Sequence, residues 1–224
     1  MTADRAFIAA LDAALRHLGV PCDPAQGERL AGHFALLLEA NRQVNLTRVT
    51  EAVDAAVRLY ADSAAAVAWV AQAGVTVRTV LDVGSGAGFP ALPLAVLRPE
   101  WQVTALEATG KKAAFIERCA ESLGIPNLRA VHAHADHWRE GGRFDLVIFK
   151  AVGSLADCLA WGAPRVSSGG HLLMHKTISL PAEEVLAARR VASRLGLESL
   201  SPFVYALRSA RETARFALHA CARP

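Results

Sequence analysis

The chain is poor in cysteine, and the few it has are badly spaced for metal. Cys22, Cys119, Cys158 and Cys221 form no Cys-x-x-Cys and no other ligand spacing. That excludes a structural zinc site and a disulfide framework, and leaves reduced thiols as expected in the cytoplasm. A long apolar run is missing too: Ala64–Ala71 is far too short to span a bilayer. There is no internal repeat and no low-complexity segment. The N-terminal residues carry Asp4, Arg5 and Asp12 in an amphipathic pattern, unlike a signal peptide. Charge excess is small as well. The net charge of +3 does not mark a polybasic nucleic-acid binder. By halves, residues 1–77 carry −2 and residues 78–224 carry +5. A basic face on the second part and a scattered solvated surface both fit that split.

What is present is apolar material. Hydrophobic residues make up 53% of the 224 and charged residues 20%, which supplies a sizeable core and argues against disorder. Much of it is alanine, a helix former. The length suits one large α/β domain with an extension, or one and a half domains. Phe7, Ile8, Leu11, Leu15 and Leu18 share one helical face, closed by Gly19 and Pro21. Leu30, Phe34, Leu37 and Leu38 mark a second helix that continues to about Asn41. A third spans 51–72. Residues 1–73 thus read as a helical extension, and residues 74–224 as the domain it packs on. From Thr79 the rhythm alternates between strand and helix, the signature of a parallel sheet covered on both faces. Strands are predicted at 79–83, 102–107, 128–132, 144–149 and 169–175, and helices at 90–97, 110–123, 154–163 and 181–195. Two last strands, near 197–205 and 214–221, have no clear helix between them and suit an antiparallel edge pair, making seven in all.

The run Val80-Leu81-Asp82-Val83 ends the first strand in an acid, and Gly84, Gly86 and Gly88 follow at alternate positions. Glycine admits backbone conformations closed to other residues and lets a ligand approach closely. A helix beginning at Phe89 or Pro90 adds N–H groups and a partial positive charge. Glu107 closes the next strand, placed to take both hydroxyls of a ribose. The ligand is therefore read as a nucleoside. A dinucleotide fingerprint needs Gly-x-Gly-x-x-Gly, and its third glycine is missing at that offset, which disfavours a nicotinamide-dependent reductase. The loop resembles the first motif of Rossmann-like, class I S-adenosylmethionine-dependent methyltransferases, and Phe144-Asp145-Leu146-Val147 resembles their fourth-strand motif. The resemblance implies S-adenosylmethionine as cofactor. It assigns Asp82 and the backbone of Gly84, Ser85, Gly86, Gly88 and Phe89 to the amino-acid end, and Glu107 to the ribose. His134-Ala135-Asp136 lies where such enzymes hold the adenine edge.

No Asn/Asp-Pro-Pro-Tyr/Phe follows the fourth strand, and no Pro-Cys follows a strand in this half. Those absences argue against exocyclic-amine and pyrimidine-C5 methylases. Across nearly its full length the chain resembles the bacterial small-subunit (16S) ribosomal RNA guanine-N7 methyltransferase family, also called glucose-inhibited division protein B. The carriers are Asn45-Leu46-Thr47, Asp62-Ser63, Leu81 through Pro90, Pro93-Leu94-Ala95, Glu107, Lys111-Lys112, Phe115, Ala135-Asp136, Lys150-Ala151-Val152, Gly169-Gly170 and Lys176. It departs at Leu59, where the family pattern has histidine, at Asp136, where it has glutamate, and at Thr177, where glycine follows the lysine. Phe149-Lys150 also replaces the family's Ser-Arg, which exchanges a rigid five-donor fork for a flexible point charge.

The resemblance implies ribosomal RNA, naked or in a small-subunit assembly intermediate, as partner. Lys150 is expected at the cofactor and also at the RNA, with Lys176 beside it; Arg139, Arg143 and Arg211 are the further candidates for phosphate contacts. Guanine N7 carries a lone pair and no proton, so neither a catalytic base nor a metal is expected. Two alternatives stay open: a methyltransferase of a small molecule or protein, and a non-catalytic RNA-binding assembly factor.

Overall fold

The computed structural model describes residues 3–176, 180–198, 200–207 and 213–222. Three helical segments open the chain. α1 (Ala3–His17) buries Phe7, Leu11 and Leu15. α2 (Pro24–Asn41) starts from an Asp23/Gln26 capping box with Pro24 in its first turn. Gln26 also reaches across to donate to the carbonyls of Val96 and Leu97, capping a helix of the main sheet. The third segment, expected as one helix, is three: α3 (Ala52–Ala55), a π-helical turn (Ala56–Ala61) and α4 (Asp62–Ala73). The π turn interrupts the helix without a Gly or Pro, so no breaker residue marks it in the sequence. Gly74, at φ 64°, ends α4 in the left-handed cap that glycine favours.

Then come β1 (Thr79–Val83), α5 (Ala91–Leu97), β2 (Gln102–Glu107), α6 (Gly110–Ser122), β3 (Leu128–His132), β4 (Phe144–Lys150), α7 (Leu155–Gly162), β5 (Val166–Lys176), α8 (Ala182–Arg194), β6 (Ser201–Leu207) and β7 (Thr213–Cys221). They form one seven-stranded sheet in the order β3-β2-β1-β4-β5-β7-β6. The first five strands run parallel, and β7 is antiparallel to both β5 and β6. The closing pair is therefore antiparallel as expected, with β6 at the edge. β5 begins at Val166, three residues before its expected start, where a register shift lets it pair with Phe144. Helices 1–4, α5 and α6 share a single apolar cluster with one face of the sheet. β1 lies between β2 and β4, the point where strand order reverses and where such sheets bind ligands beyond their carboxyl ends. Asp145 works at the opposite end: its carboxylate accepts the N–H groups of Arg78 and Thr79 and ties the start of β4 to the start of β1.

Candidate active site

The carboxyl ends of β1 and β2 carry a loop whose polar groups are paired with one another. The N–H groups of Gly84 and Ser85 both donate to the Leu106 carbonyl, at 2.8 and 3.2 Å. Those of Gly88 and Phe89 donate to the Ser85 carbonyl, both at 2.8 Å. Glu107, almost fully buried, accepts the Gly86 N–H on one oxygen and the Thr109 N–H on the other, each at 2.8 Å. Gly86 holds φ 58°, and a side chain there would meet nothing within 4 Å, so the loop leaves open space beside it.

Asp82 is completely buried and accepts the Ala91 N–H at 3.0 Å. It thereby caps α5, so the free helix donors expected there are already engaged. Its Oδ1 has no hydrogen-bond partner among the described residues. Burial pushes the Asp82 carboxyl up to about 7. Ser85 is buried, and its hydroxyl donates to the Asp82 carbonyl. The hollow at Gly86, the Glu107 carboxylate beside it and the orphaned Asp82 oxygen together fit a polar nucleoside of the expected kind.

A second feature lies across β4. A cavity of about 270 Å³ is lined by Asp62, Lys150, Val152, Gly153, Lys176 and Tyr205, among others. It adjoins the glycine loop, because a Cβ on Gly84 would stand 2.6 Å from Val152. Lys150 crosses from the end of β4 to the helical extension. Its ammonium lies 3.2 Å from Asp62 Oδ2, 3.2 Å from the Leu59 carbonyl and 3.1 Å from Ser63 Oγ. It also stands 5.6 Å from the centre of the Phe89 ring. An ammonium has three donors, and here the protein takes all three. Lys150, expected at the cofactor and at the RNA, thus has its three donors directed to Asp62, Leu59 and Ser63 in this structure, while it also lines the cavity. Lys176 differs: it lines the same cavity, donates to the Gly153 carbonyl at 2.8 Å and stands 4.0 Å from Glu184.

The other expected residues make their contacts elsewhere in the fold. Asp136 is exposed, with its carboxylate on the Trp161 indole N–H at 2.5 Å and 3.2 Å from His134, so it is held toward α7. The Ala135 carbonyl is taken by the buried Arg165 guanidinium, which also donates to the carbonyls of Trp138 and Trp161. Arg139 is exposed in the loop between β3 and β4. Arg143 precedes β4 and donates to the Val166 carbonyl at the start of β5, which puts it at the amino end of the strands, away from the loop. Arg211 lies outside the described residues. Two residues of this cluster carry no site signal in the sequence: Asp62, which stands there only within the Asp62-Ser63 motif, and Tyr205, whose hydroxyl donates to Asp62 Oδ1 at 2.9 Å. Leu59, where the family pattern has histidine, lies in the π turn, and its backbone carbonyl accepts from Lys150.

Strand order, glycine loop and strand-end carboxylate define the fold of the class I S-adenosylmethionine-dependent methyltransferases. Solved structures agree: the chain is similar to precorrin-6y C5,15-methyltransferase from Geobacter metallireducens, with a TM-score of 0.55 at 14% identity over 71% of this chain and 88% of that one. Within that class, the family model described as GidB, rRNA small subunit methyltransferase G, matches residues 26–210, and the chain belongs to that family. A protein named Ribosomal RNA small subunit methyltransferase G from Thermosynechococcus vestitus is 37% identical over 68% of this chain and 69% of its own length. Another of that name, from Roseiflexus castenholzii, is 37% identical over 80% and 76%. No described helix is long and apolar enough to cross a membrane, and no described group of side chains has the make-up of a metal site.

Proposed function

We propose that this protein methylates N7 of a guanine in small-subunit ribosomal RNA, with S-adenosylmethionine as donor. The observation that carries the reading is the family match over residues 26–210, a span that holds both the glycine loop and the cavity across β4. When bound, the donor supplies a methyl carbon on a sulfonium; the N7 lone pair forms the new bond, the carbon–sulfur pair returns to sulfur, and no proton leaves. Glu107 would exchange its Gly86 and Thr109 contacts for the ribose hydroxyls, and the hollow at Gly86 would admit the ligand's main body. Asp82 acts one step back, by holding the loop on α5. The acceptor base enters the cavity beside Val152, where Lys176 offers a cation to guanine O6 and leaves the N7 lone pair free.

Such a transfer needs placement, and positioning alone can lower a barrier by about 7–11 kcal/mol. No side chain has to act as a base. Residues 1–73 serve as an extension of the 74–224 methyltransferase domain, and the work belongs in the cytoplasm, on naked RNA or an assembly intermediate. The test is transfer of labelled methyl to ribosomal RNA from cells lacking their own enzyme, followed by nucleoside mapping. Label in N7-methylguanosine supports the reading. Label in another nucleoside, or no transfer by a protein that binds the donor, overturns it.

A further inference from the structure

The hydrogen bonds of Asp62 join parts of the fold that are not neighbours. One carboxylate oxygen holds Lys150 at the end of β4, and the other takes the hydroxyl of Tyr205 in β6. In the sheet those strands are separated by β5 and β7. Asp62 is 2% exposed, so the bridge runs through the interior, and Tyr205 extends it to His175 Nδ1 at 3.0 Å. The π turn just before Asp62 turns the Leu59 carbonyl toward both the Lys150 ammonium and the Ser63 hydroxyl. Single π turns recur at functional sites because they re-aim backbone groups.

The consequence reaches the cofactor side. Ala151, directly after Lys150, holds φ 56°, the one non-glycine residue in the left-handed region among those described. Such a conformation persists where its surroundings over-determine it. Val152, next in the chain, packs against Gly84 of the glycine loop. Fixing the Lys150 side chain therefore fixes a turn with one residue facing the acceptor cavity and the next touching the cofactor loop.

We infer that Asp62 is a positioning residue for methyl transfer. It acts through Lys150 and Tyr205 to set the wall of the acceptor cavity against the cofactor loop, and leaves Lys176 as the cation that meets the acceptor. The helical extension thereby completes the acceptor side of the site. This rests on the function proposed above.

The experiment uses the full chain, labelled S-adenosylmethionine and small-subunit ribosomal RNA, with S-adenosylhomocysteine affinity measured by calorimetry. Asp62→Asn is expected to lower kcat about 100-fold, the cost of a misplacement near 1 Å, while the calorimetric affinity stays within about threefold. Lys150→Met should show a similar loss, and the double variant should lose no more than Lys150→Met alone, since residues acting as a unit are not additive. Tyr205→Phe keeps the Asp62–Lys150 ion pair and removes the hydroxyl's bonds to Asp62 and His175, so its kcat falls less, with the same unchanged affinity; it carries the test should Asp62→Asn fail to fold. Undiminished kcat in Asp62→Asn or in a folded Tyr205→Phe overturns the inference. So do losses that multiply in the double variant, or cofactor affinity that falls in step with activity. If wild-type protein methylates guanine while Asp62→Asn keeps its kcat, the inference alone fails. If wild-type protein binds the cofactor and transfers nothing to the RNA, the proposed function fails first.

Discussion

The two sides of the site are built on different scales of chain distance. On the cofactor side, contacts are short in sequence: Asp82 reaches Ala91, Ser85 reaches Gly88 and Phe89, Glu107 reaches Thr109, and the longest, Gly84 to Leu106, runs only from the end of β1 to the end of β2. On the acceptor side, Lys150 reaches back 87 and 91 positions to Ser63 and Leu59, and Tyr205 reaches 143 to Asp62. The first side is a local strand–loop motif that any chain with these residues and a β2 neighbour can form. The second exists only once the helical extension has docked across β4 and β6. On the proposed function, the difference separates what binds the cofactor from what places the acceptor.

That separation can be broken in order of expected effect. Lys150→Met removes the cation from a buried pair and should cost about 3–5 kcal/mol of stability in chemical denaturation, because the carboxylate left behind is uncompensated. Cofactor affinity measured on the folded fraction should hold; a parallel loss would merge the two sides. Gly86→Val attacks the other side. A β-branched residue at φ 58° carries about 1–2 kcal/mol of strain and fills the hollow, so affinity for S-adenosylhomocysteine should fall about 100-fold. Retained affinity would move the ligand away from this loop.

A smaller effect follows from Asp82. Burial raises its carboxyl from an ordinary 3.8 to about 7, so the folded protein holds this proton more tightly than the unfolded chain does. The stability it contributes is fully present below about pH 4 and is lost as pH rises through about 7. Melting curves of wild type and Asp82→Asn should therefore diverge with rising pH, wild type losing ground until about pH 8. A constant gap across that range would contradict the buried, orphaned oxygen. The smallest contrast is on RNA. Lys176→Gln should weaken RNA binding and reduce the salt slope by about one. Arg143→Glu, at the far end of the strands, should leave affinity within about twofold. Equal losses for the two would place RNA across both ends of the sheet.

Much of this was legible in the residues, and the contrast between the two sides explains which part. The glycine spacing and Glu107 could be read because strand, turn and carboxylate are adjacent in the chain and their geometry is set locally. The strand boundaries of β1, β2 and β3 could be read for the same reason. The donors of the α5 N-terminus could not, because only the fold reveals that Asp82, two residues before the loop, turns back to cap Ala91. Lys150 stands out in the sequence, yet its partners are acceptors brought in from the extension. Arg143 shows the limit of charge as a guide: a cation next to a strand lies at one end of the sheet or the other, and its sequence neighbours favour neither.

The most direct measurement is a crystal structure of the full chain with S-adenosylhomocysteine. The nucleoside should lie over Gly86, with its ribose hydroxyls on the Glu107 carboxylate, and Lys150 should still be held by Asp62. Density for the ligand anywhere else, or a Glu107 still bonded to Gly86 and Thr109 beside a ribose bound by other groups, would contradict the assignment of the loop as the cofactor site.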